Sequence, residues 1–184
     1  MKLVIYGSFS CPYTYLASLR AERLQVAGAA EFEWRAVVHD PDVHPAGIPV
    51  EGELAEKLDQ ELEEIRGLLA PGEPFPAKVP PVEPNTTAAV AGYSSVLFGG
   101  QADALRSELF DAYWVRGADI GNPEVLLELG CPAVPPGERA REWQSQWDDT
   151  DRHVVPMMLL PDGKVSRGLG ALTRLAAMEE EMMG

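Results

Sequence analysis

The N-terminal part of the chain carries two strand patterns on either side of a helical one. Residues 2–6 form a short apolar run rich in β-branched side chains, and residues 32–38 alternate apolar with charged positions. Between them, residues 12–24 place apolar side chains at helical spacing, starting at Pro12, whose missing N–H costs nothing in the first turn of a helix. The predicted order of this part is β-α-β.

The middle of the chain is mostly helical in pattern. Leucine and isoleucine recur every three or four positions over residues 54–69, and seven acids and one lysine fill other positions of 51–64, which predicts an acidic amphipathic helix. Six prolines between residues 71 and 84 predict an extended loop without regular structure. Further helices are predicted over residues 85–98, 102–116, 122–129 and 138–147.

The C-terminal part returns to strands. Residues 154–160 are apolar and β-branched, Pro161-Asp162-Gly163 is a tight-turn sequence, and residues 164–169 offer a second strand, so this segment predicts a β-hairpin. A final helix is predicted over residues 173–183. The whole pattern predicts an α/β fold in which a helical segment separates β-α-β from β-β-α.

Composition narrows the classes of partner. The chain has 184 residues, enough for one ordinary domain, with 15 basic against 29 acidic residues and a formal charge of -14. Such a surface repels phosphate backbones and anionic lipids, so neither nucleic acid nor a membrane is expected as a partner. With no apolar run of about 18 residues and no secretory signal pattern, a cytoplasmic location is expected.

Two cysteines are too few and too far apart for a disulfide framework. Cys11 lies where the first strand turns into the first helix, so its thiol would face unpaired N–H groups, which favour the thiolate and predict a lowered pKa. A buried inert thiol is the alternative. Cys131 follows Gly130 in a turn after a helix and is interpreted as a structural or surface thiol.

Histidine and proline supply the remaining candidates. The spacing of His39, His44 and His153 matches no standard ligand set, so no metal site is expected, although His153 is close enough in sequence to Pro156 to approach the thiolate. The Val155-Pro156 pair starts a predicted strand, where proline cannot donate to the ladder, which suggests an edge or a cis peptide.

Three segments carry a family resemblance. FSCPYTYLA (9–17), LFDAYWVRGADIGNPEVLLELG (109–130) and VVPMMLLPDGKVSRGLGALTRL (154–175), in this order, resemble the cytoplasmic DsbA-like group that includes FrnE-type oxidoreductases and 2-hydroxychromene-2-carboxylate isomerases. The resemblance implies a thioredoxin-like fold with a large helical insertion.

The resemblance also implies the domain organisation. Residues 1–184 would form a single DsbA-like domain, with a thioredoxin-like part over 1–45 and 150–184 and the insertion over about 50–148. In such a fold the insertion roofs the thiol site, so some of its aromatic side chains would line an apolar cleft, while the others would lie in the core.

By the same resemblance, Cys11 would be the nucleophile and Pro12 would belong to the catalytic motif. Thr14 stands where the family has a resolving cysteine, and its hydroxyl cannot attack a mixed disulfide, although it can hydrogen-bond the Cys11 thiolate. Tyr13, Val155 and Pro156 would bind substrate, with Pro156 as the family's cis-proline and Val155 offering its backbone N–H and C=O.

Three functions stay open at this point. The first is a monothiol thiol-disulfide oxidoreductase, the second is a glutathione-dependent isomerase or kappa-type transferase, and the third is a catalytically silent binding domain. No tightly bound cofactor is expected, and glutathione or another low-molecular-weight thiol is the candidate thiol. A small thiol or a protein disulfide is the expected substrate, and a homodimer is an open alternative for the assembly.

Overall fold

The structure is a computed structural model that describes residues 1–96 and 98–184. Its strands are β1 (Lys2–Gly7), β2 (Glu31–Ala36), β3 (Ile48–Pro49), β4 (Val82–Glu83), β5 (Met157–Leu159) and β6 (Val165–Arg167). Its helices are α1 (Pro12–Val26), α2 (Gly52–Arg66), α3 (Thr87–Ser95), α4 (Gly100–Trp114), α5 (Pro123–Glu128), α6 (Glu138–Asp148) and α7 (Leu169–Met183). Within the described ranges, no helix is both long enough and apolar enough to cross a membrane.

Four strands form one mixed sheet in the order β2-β1-β5-β6. β1 pairs with β2 in parallel and with β5 in antiparallel fashion, and β5 pairs with β6 as the predicted hairpin. The predicted α/β class and the β-α-β and β-β-α arrangements at the two ends are therefore confirmed. Because Tyr6 is in register with Met157, the end of β1 lies beside the start of β5.

Several predicted boundaries shift at prolines and glycines. The strand predicted from residue 154 begins at Met157, after Pro156. The last helix begins at Leu169 rather than at 173, because Gly168, with φ 51°, turns the chain and its carbonyl accepts the amides of Ala171 and Leu172. The helix predicted over 85–98 spans Thr87–Ser95, and residue 97 lies outside the described residues.

The proline-rich stretch was predicted to lack regular structure, and this was wrong at one place. Val82 and Glu83 form β4, which pairs antiparallel with Ile48 and Pro49 of β3. A ladder of two residues needs so few amide donors that neither Pro49 within it nor the prolines beside β4 prevent it.

Aromatic side chains fasten the helical segment to the turn after β1. The Phe9 and Phe110 rings lie 5.0 Å apart, and Trp34 meets Phe110 edge-on at 5.8 Å. The indole N–H of Trp114 donates to the Phe9 carbonyl at 3.0 Å. Helix α4 therefore supports the backbone that leads from the sheet to Cys11.

A buried ion pair ties α1 to the loop after α2. The Arg20 side chain is 2% exposed and donates to both carboxylate oxygens of Glu73, which is 5% exposed, and to the Leu172 carbonyl of α7. Burial raises the pKa of Glu73, but hydrogen bonds from Arg20 and the Ala70 amide and the charges of Arg20 and Arg23 outweigh burial and lower that pKa to about 2. The carboxylate thus stays charged in the folded protein.

We expect the substitution Glu73→Gln to lower the free energy of unfolding at pH 7 by about 3 kcal/mol, because the buried Arg20 guanidinium loses its hydrogen-bonded carboxylate and keeps the more distant Glu179 carboxylate at 3.9 Å. The folded-state pKa lies below the unfolded value of about 4.3, so the wild type should lose this contribution as the pH falls from there toward 2, and the variant should not. Urea unfolding at several pH values measures both effects.

The matched control is Glu63→Gln, which breaks the pair of Glu63 with Arg66, whose side chains are 67% and 39% exposed. This substitution should cost less than about 1 kcal/mol. Equal losses from the two substitutions would contradict a structural role for the buried pair.

Candidate functional site

Cys11 directly precedes helix α1 and is its N-cap residue. Its backbone is extended at φ -101° and ψ 121°, its amide donates to the Ser8 carbonyl at 3.2 Å, and Pro12 occupies the first helical position. The half-buried thiol therefore lies at the end of the helix where backbone N–H groups lack helical acceptors, as the sequence predicted.

The loop before β5 brings a backbone carbonyl to the thiol. The Val155–Pro156 peptide is cis, as the family resemblance implied, and the Cys11 thiol donates to the Val155 carbonyl with Sγ and O 3.9 Å apart. Val155 and Pro156 are both buried. Residues 144 positions apart in the chain thus meet because β1 and β5 are neighbours in the sheet.

Thr14 is held against the same site by close packing. A Cβ on Gly7 would lie 2.4 Å from Thr14 Cγ2 and 2.7 Å from the Trp34 ring, so only glycine leaves room for this arrangement. The Thr14 hydroxyl is buried, and among the described residues it has no hydrogen-bond partner. It is therefore available as a donor when the neighbouring sulfur becomes an anion.

Burial raises the pKa of the Cys11 thiol above its ordinary value, and this outweighs what the helix start provides. The hydroxyl and amide of Thr14 and the amide of Tyr13 lower the pKa by hydrogen-bonding the thiolate, whereas the Glu61 carboxylate raises it. The lowered pKa predicted from the sequence was wrong, because the pattern showed the helix start but not the chain that covers the sulfur.

The Tyr13 side chain is hydrogen-bonded to a residue of the helical segment. Its hydroxyl donates to Glu64 Oε2 of α2 at 2.7 Å, and this bond together with burial raises the pKa of the phenol. Tyr13 lines the space beside Cys11, and because its hydroxyl already donates to Glu64, we expect its predicted contact with a substrate to involve the ring more than the hydroxyl. The acidic helix, to which the sequence assigned no function, supplies both Glu64 and Glu61 to this region.

A cleft of about 510 Å³ opens beside Cys11, and we call it the thiol cleft. Its lining combines one carboxylate with two arginines, two histidines and the start of α7: Cys11, Tyr13, His39, Glu61, Arg152, His153, Val154, Val155, Arg167, Gly168 and Leu169. One of these arginines, Arg167, donates from Nη2 to Asp151 at 2.8 Å, while its buried Nε has no partner in the described part of the chain. The cleft is thus suited to an anionic group.

Sequence reasoning missed Arg152 and Arg167 as lining residues. Arg152 lies shortly before the Val155-Pro156 pair, and Arg167 lies shortly before the last helix. This closeness along the chain is the only signal in the sequence that could have placed them at the site. His153 was the histidine expected near the thiol, and the structure brings His39 to the same cleft. No group of His, Cys, Asp and Glu within residues 1–96 and 98–184 could hold a metal ion.

Cys131 lies elsewhere. It is 1% exposed, its thiol donates to the Ala89 carbonyl at a distance of 3.9 Å, and burial raises its pKa to about 11. Cys11 and Cys131 are both free thiols. The interpretation of Cys131 as a structural thiol agrees with this packing.

The fold and the first part of the chain match known proteins. A family model described as a DSBA-like thioredoxin domain matches residues 2–131. None of the curated proteins compared with the chain matches it.

Solved structures extend the likeness to the whole chain. A probable DsbA oxidoreductase from Streptomyces coelicolor is 16% identical with a TM-score of 0.69, covering 100% of this chain and 90% of its own. A 2-hydroxychromene-2-carboxylate isomerase is 21% identical (TM-score 0.64; 99% and 94% covered). The cytosolic disulfide reductase DsbM from Pseudomonas aeruginosa, solved with GSH, is 16% identical (TM-score 0.62; 100% and 99% covered). These structures show a thioredoxin-like fold with a helical insertion.

We expect the substitution Thr14→Val to raise the pKa of Cys11 further, because it removes a donor to the thiolate while keeping the side-chain shape. The rate of alkylation by iodoacetamide, measured against pH with intact-mass detection, gives this pKa. Wild-type Cys11 should titrate above a free cysteine of about 8.5 and still react before Cys131.

The folded state provides the check on this substitution. Since the buried Thr14 hydroxyl has no partner among residues 1–96 and 98–184, Thr14→Val should not lower the free energy of unfolding. An unchanged Cys11 titration in a stably folded Thr14→Val protein would show that the hydroxyl does not act on the sulfur.

Proposed function

Because the chain belongs to the family of DSBA-like thioredoxin domains, we propose that it catalyses thiol-disulfide exchange through Cys11 as its single active-site cysteine. The observation that carries the proposal is the position of this thiol at the start of α1, against the Val155 carbonyl and beside the thiol cleft. A disulfide that enters the cleft can bring one of its sulfur atoms into contact with Cys11, while the chain attached to that sulfur lies along Val155.

The reaction proceeds in two balanced steps. The Cys11 thiolate attacks one sulfur of a disulfide RSSR′, which forms a Cys11–S–S–R bond and releases R′S⁻. A second thiol, as its thiolate, then attacks the mixed disulfide, forms a new disulfide with R and restores the Cys11 thiolate. Thr14 and the Tyr13 amide stabilise that thiolate at the start and at the end of the cycle.

An external thiol is needed because the chain offers no resolving cysteine near the site. Thr14 has a hydroxyl, and Cys131 is buried against the Ala89 carbonyl. We propose a low-molecular-weight thiol that carries a carboxylate, of which glutathione is the candidate. Arg152 and Arg167 line the cleft, and the Nε of Arg167, which has no partner among the residues that the structure describes, offers a donor for such a carboxylate.

A second candidate is a thiol-dependent isomerase or transferase. One observation favours it: burial raises the pKa of Cys11, so near neutral pH the group is mainly a thiol that donates a hydrogen bond, here to Val155. A thiol of this kind could orient the thiolate of a bound cofactor without exchanging disulfides. The 2-hydroxychromene-2-carboxylate isomerase among the similar structures is consistent with this chemistry on this fold.

We expect the substitution Thr14→Cys to raise the rate of insulin reduction by dithiothreitol on the order of tenfold or more, because a neighbouring thiol attacks the mixed disulfide intramolecularly. Thr14→Ser is the matched control and should leave the rate near the wild-type level. A wild-type rate equal to that of Thr14→Cys would contradict the monothiol mechanism.

The substitution Cys11→Ser separates the two candidate functions. It should abolish the mixed disulfide with glutathione disulfide, which we expect intact mass to show as an adduct on the wild type. If a glutathione-dependent isomerisation is found and persists in Cys11→Ser, the thiol orients a cofactor and the exchange proposal fails.

A further inference from the structure

A second cavity lies next to the thiol cleft, and we call it the apolar cavity. It measures about 480 Å³ and lies between the end of β2, helix α3 and helix α6. Its walls are mainly apolar and include Val38, Pro41, Val90, Ala91, Ala140 and Trp147. A volume of this size holds a small organic molecule rather than a peptide chain.

Two histidines belong to both spaces. His39, just after β2, and His153, just before Val155, line the thiol cleft and the apolar cavity alike. The buried Trp147 ring packs against both, with centroids 5.9 Å from His39 and 5.2 Å from His153. The boundary between the two spaces therefore includes exposed imidazole rings.

Several polar side chains in the wall of the cavity already have partners within the protein. Gln144 accepts the Val38 amide at 2.9 Å and donates to the Val38 carbonyl at 3.2 Å. Arg141 donates to the Pro136 carbonyl at 2.5 Å. A ligand with many polar groups would lose water there without full replacement, whereas an apolar ring would gain burial.

We infer that the apolar cavity holds an uncharged aromatic arm of the disulfide whose sulfur exchanges at Cys11. The inference rests on the proposed exchange function and adds the class of substrate: small disulfides with an aromatic group. Attack of the Cys11 thiolate on the sulfur that bears this arm leaves the arm attached to Cys11 and releases the other half as its thiolate. Because His39 and His153 line both spaces, the apolar cavity and the thiol cleft are adjacent, and a substrate of this class would span the two.

Two neighbouring positions on α3 allow a matched test. Thr87 and Ala88 are both exposed at the start of α3 and both line another surface groove, but only Thr87 also lines the apolar cavity. The substitution Thr87→Trp should obstruct the apolar cavity. The matched control, Ala88→Trp, adds the same indole ring at the next position, which does not line that cavity. The probes are 4,4′-dithiodipyridine, which is aromatic and uncharged, and bis(2-hydroxyethyl) disulfide, which is small and hydrophilic.

We expect Thr87→Trp to slow the formation of the Cys11 adduct with the aromatic probe by about tenfold, the effect of losing burial of one ring. The hydrophilic probe should react with Thr87→Trp within about twofold of the wild-type rate, and Ala88→Trp should leave both probes within the same limit. Intact mass against time gives all rates. Equal slowing of both probes, or no slowing of either, would overturn the inference.

Binding without chemistry gives a second measurement that does not depend on Cys11. Calorimetry with 2-naphthol on the Cys11→Ser protein should show binding that Thr87→Trp removes and Ala88→Trp keeps. If 2-naphthol binds but the wild type forms no adduct at Cys11 with either probe, the assignment of the cavity stands and the proposed exchange function is refuted. Exchange with both probes but no 2-naphthol binding would overturn the cavity assignment alone.

Discussion

The antiparallel pairing of β1 with β5 is the contact on which the site depends. It places Tyr6 opposite Met157, so that the turn leaving β1 and the loop entering β5 end at the same edge of the sheet. Cys11 and Val155 meet there, and the cis bond to Pro156 lies in the same loop. Sequence-distant residues are thus held together by backbone hydrogen bonds, which no single side-chain contact could do as firmly.

The thiol is subject to two opposing effects at this edge. The start of α1 and the nearby Thr14 stabilise the thiolate, whereas the surrounding chain removes water from the sulfur and disfavours charge. Burial is the larger effect. An anion at Cys11 therefore depends on a few aligned donors, and the buried hydroxyl of Thr14, free of other partners in the described structure, is the clearest of them.

Charge is distributed unevenly over this acidic protein. The formal charge is -14, yet two arginines and two histidines surround the thiol cleft, and one carboxylate, Glu61, lies among them. The net charge thus indicates which charged partners the protein attracts or repels at long range, but it does not predict the charge inside one cleft. The neighbouring apolar cavity differs again in chemistry, because its walls are mainly apolar.

Local pattern in the sequence determined the elements and the position of the nucleophile. Apolar periodicity and the position of Pro12 were enough to predict β1, α1 and β2. Because Cys11 directly precedes Pro12, the sequence also placed this cysteine at a helix start. The short ladder of β3 with β4 could not be predicted, because two residues carry no period and their partners lie across the chain.

Only the tertiary structure decided how the thiol behaves and what surrounds it. The pKa of Cys11 depends on which segments cover the sulfur, and Glu61 comes from a helix about fifty residues away along the chain. Arg167 and His39 reach the cleft from different strand ends. Burial and charge act through space, whereas periodicity and capping act along the chain, and for this reason the elements were predictable and the environment of the site was not.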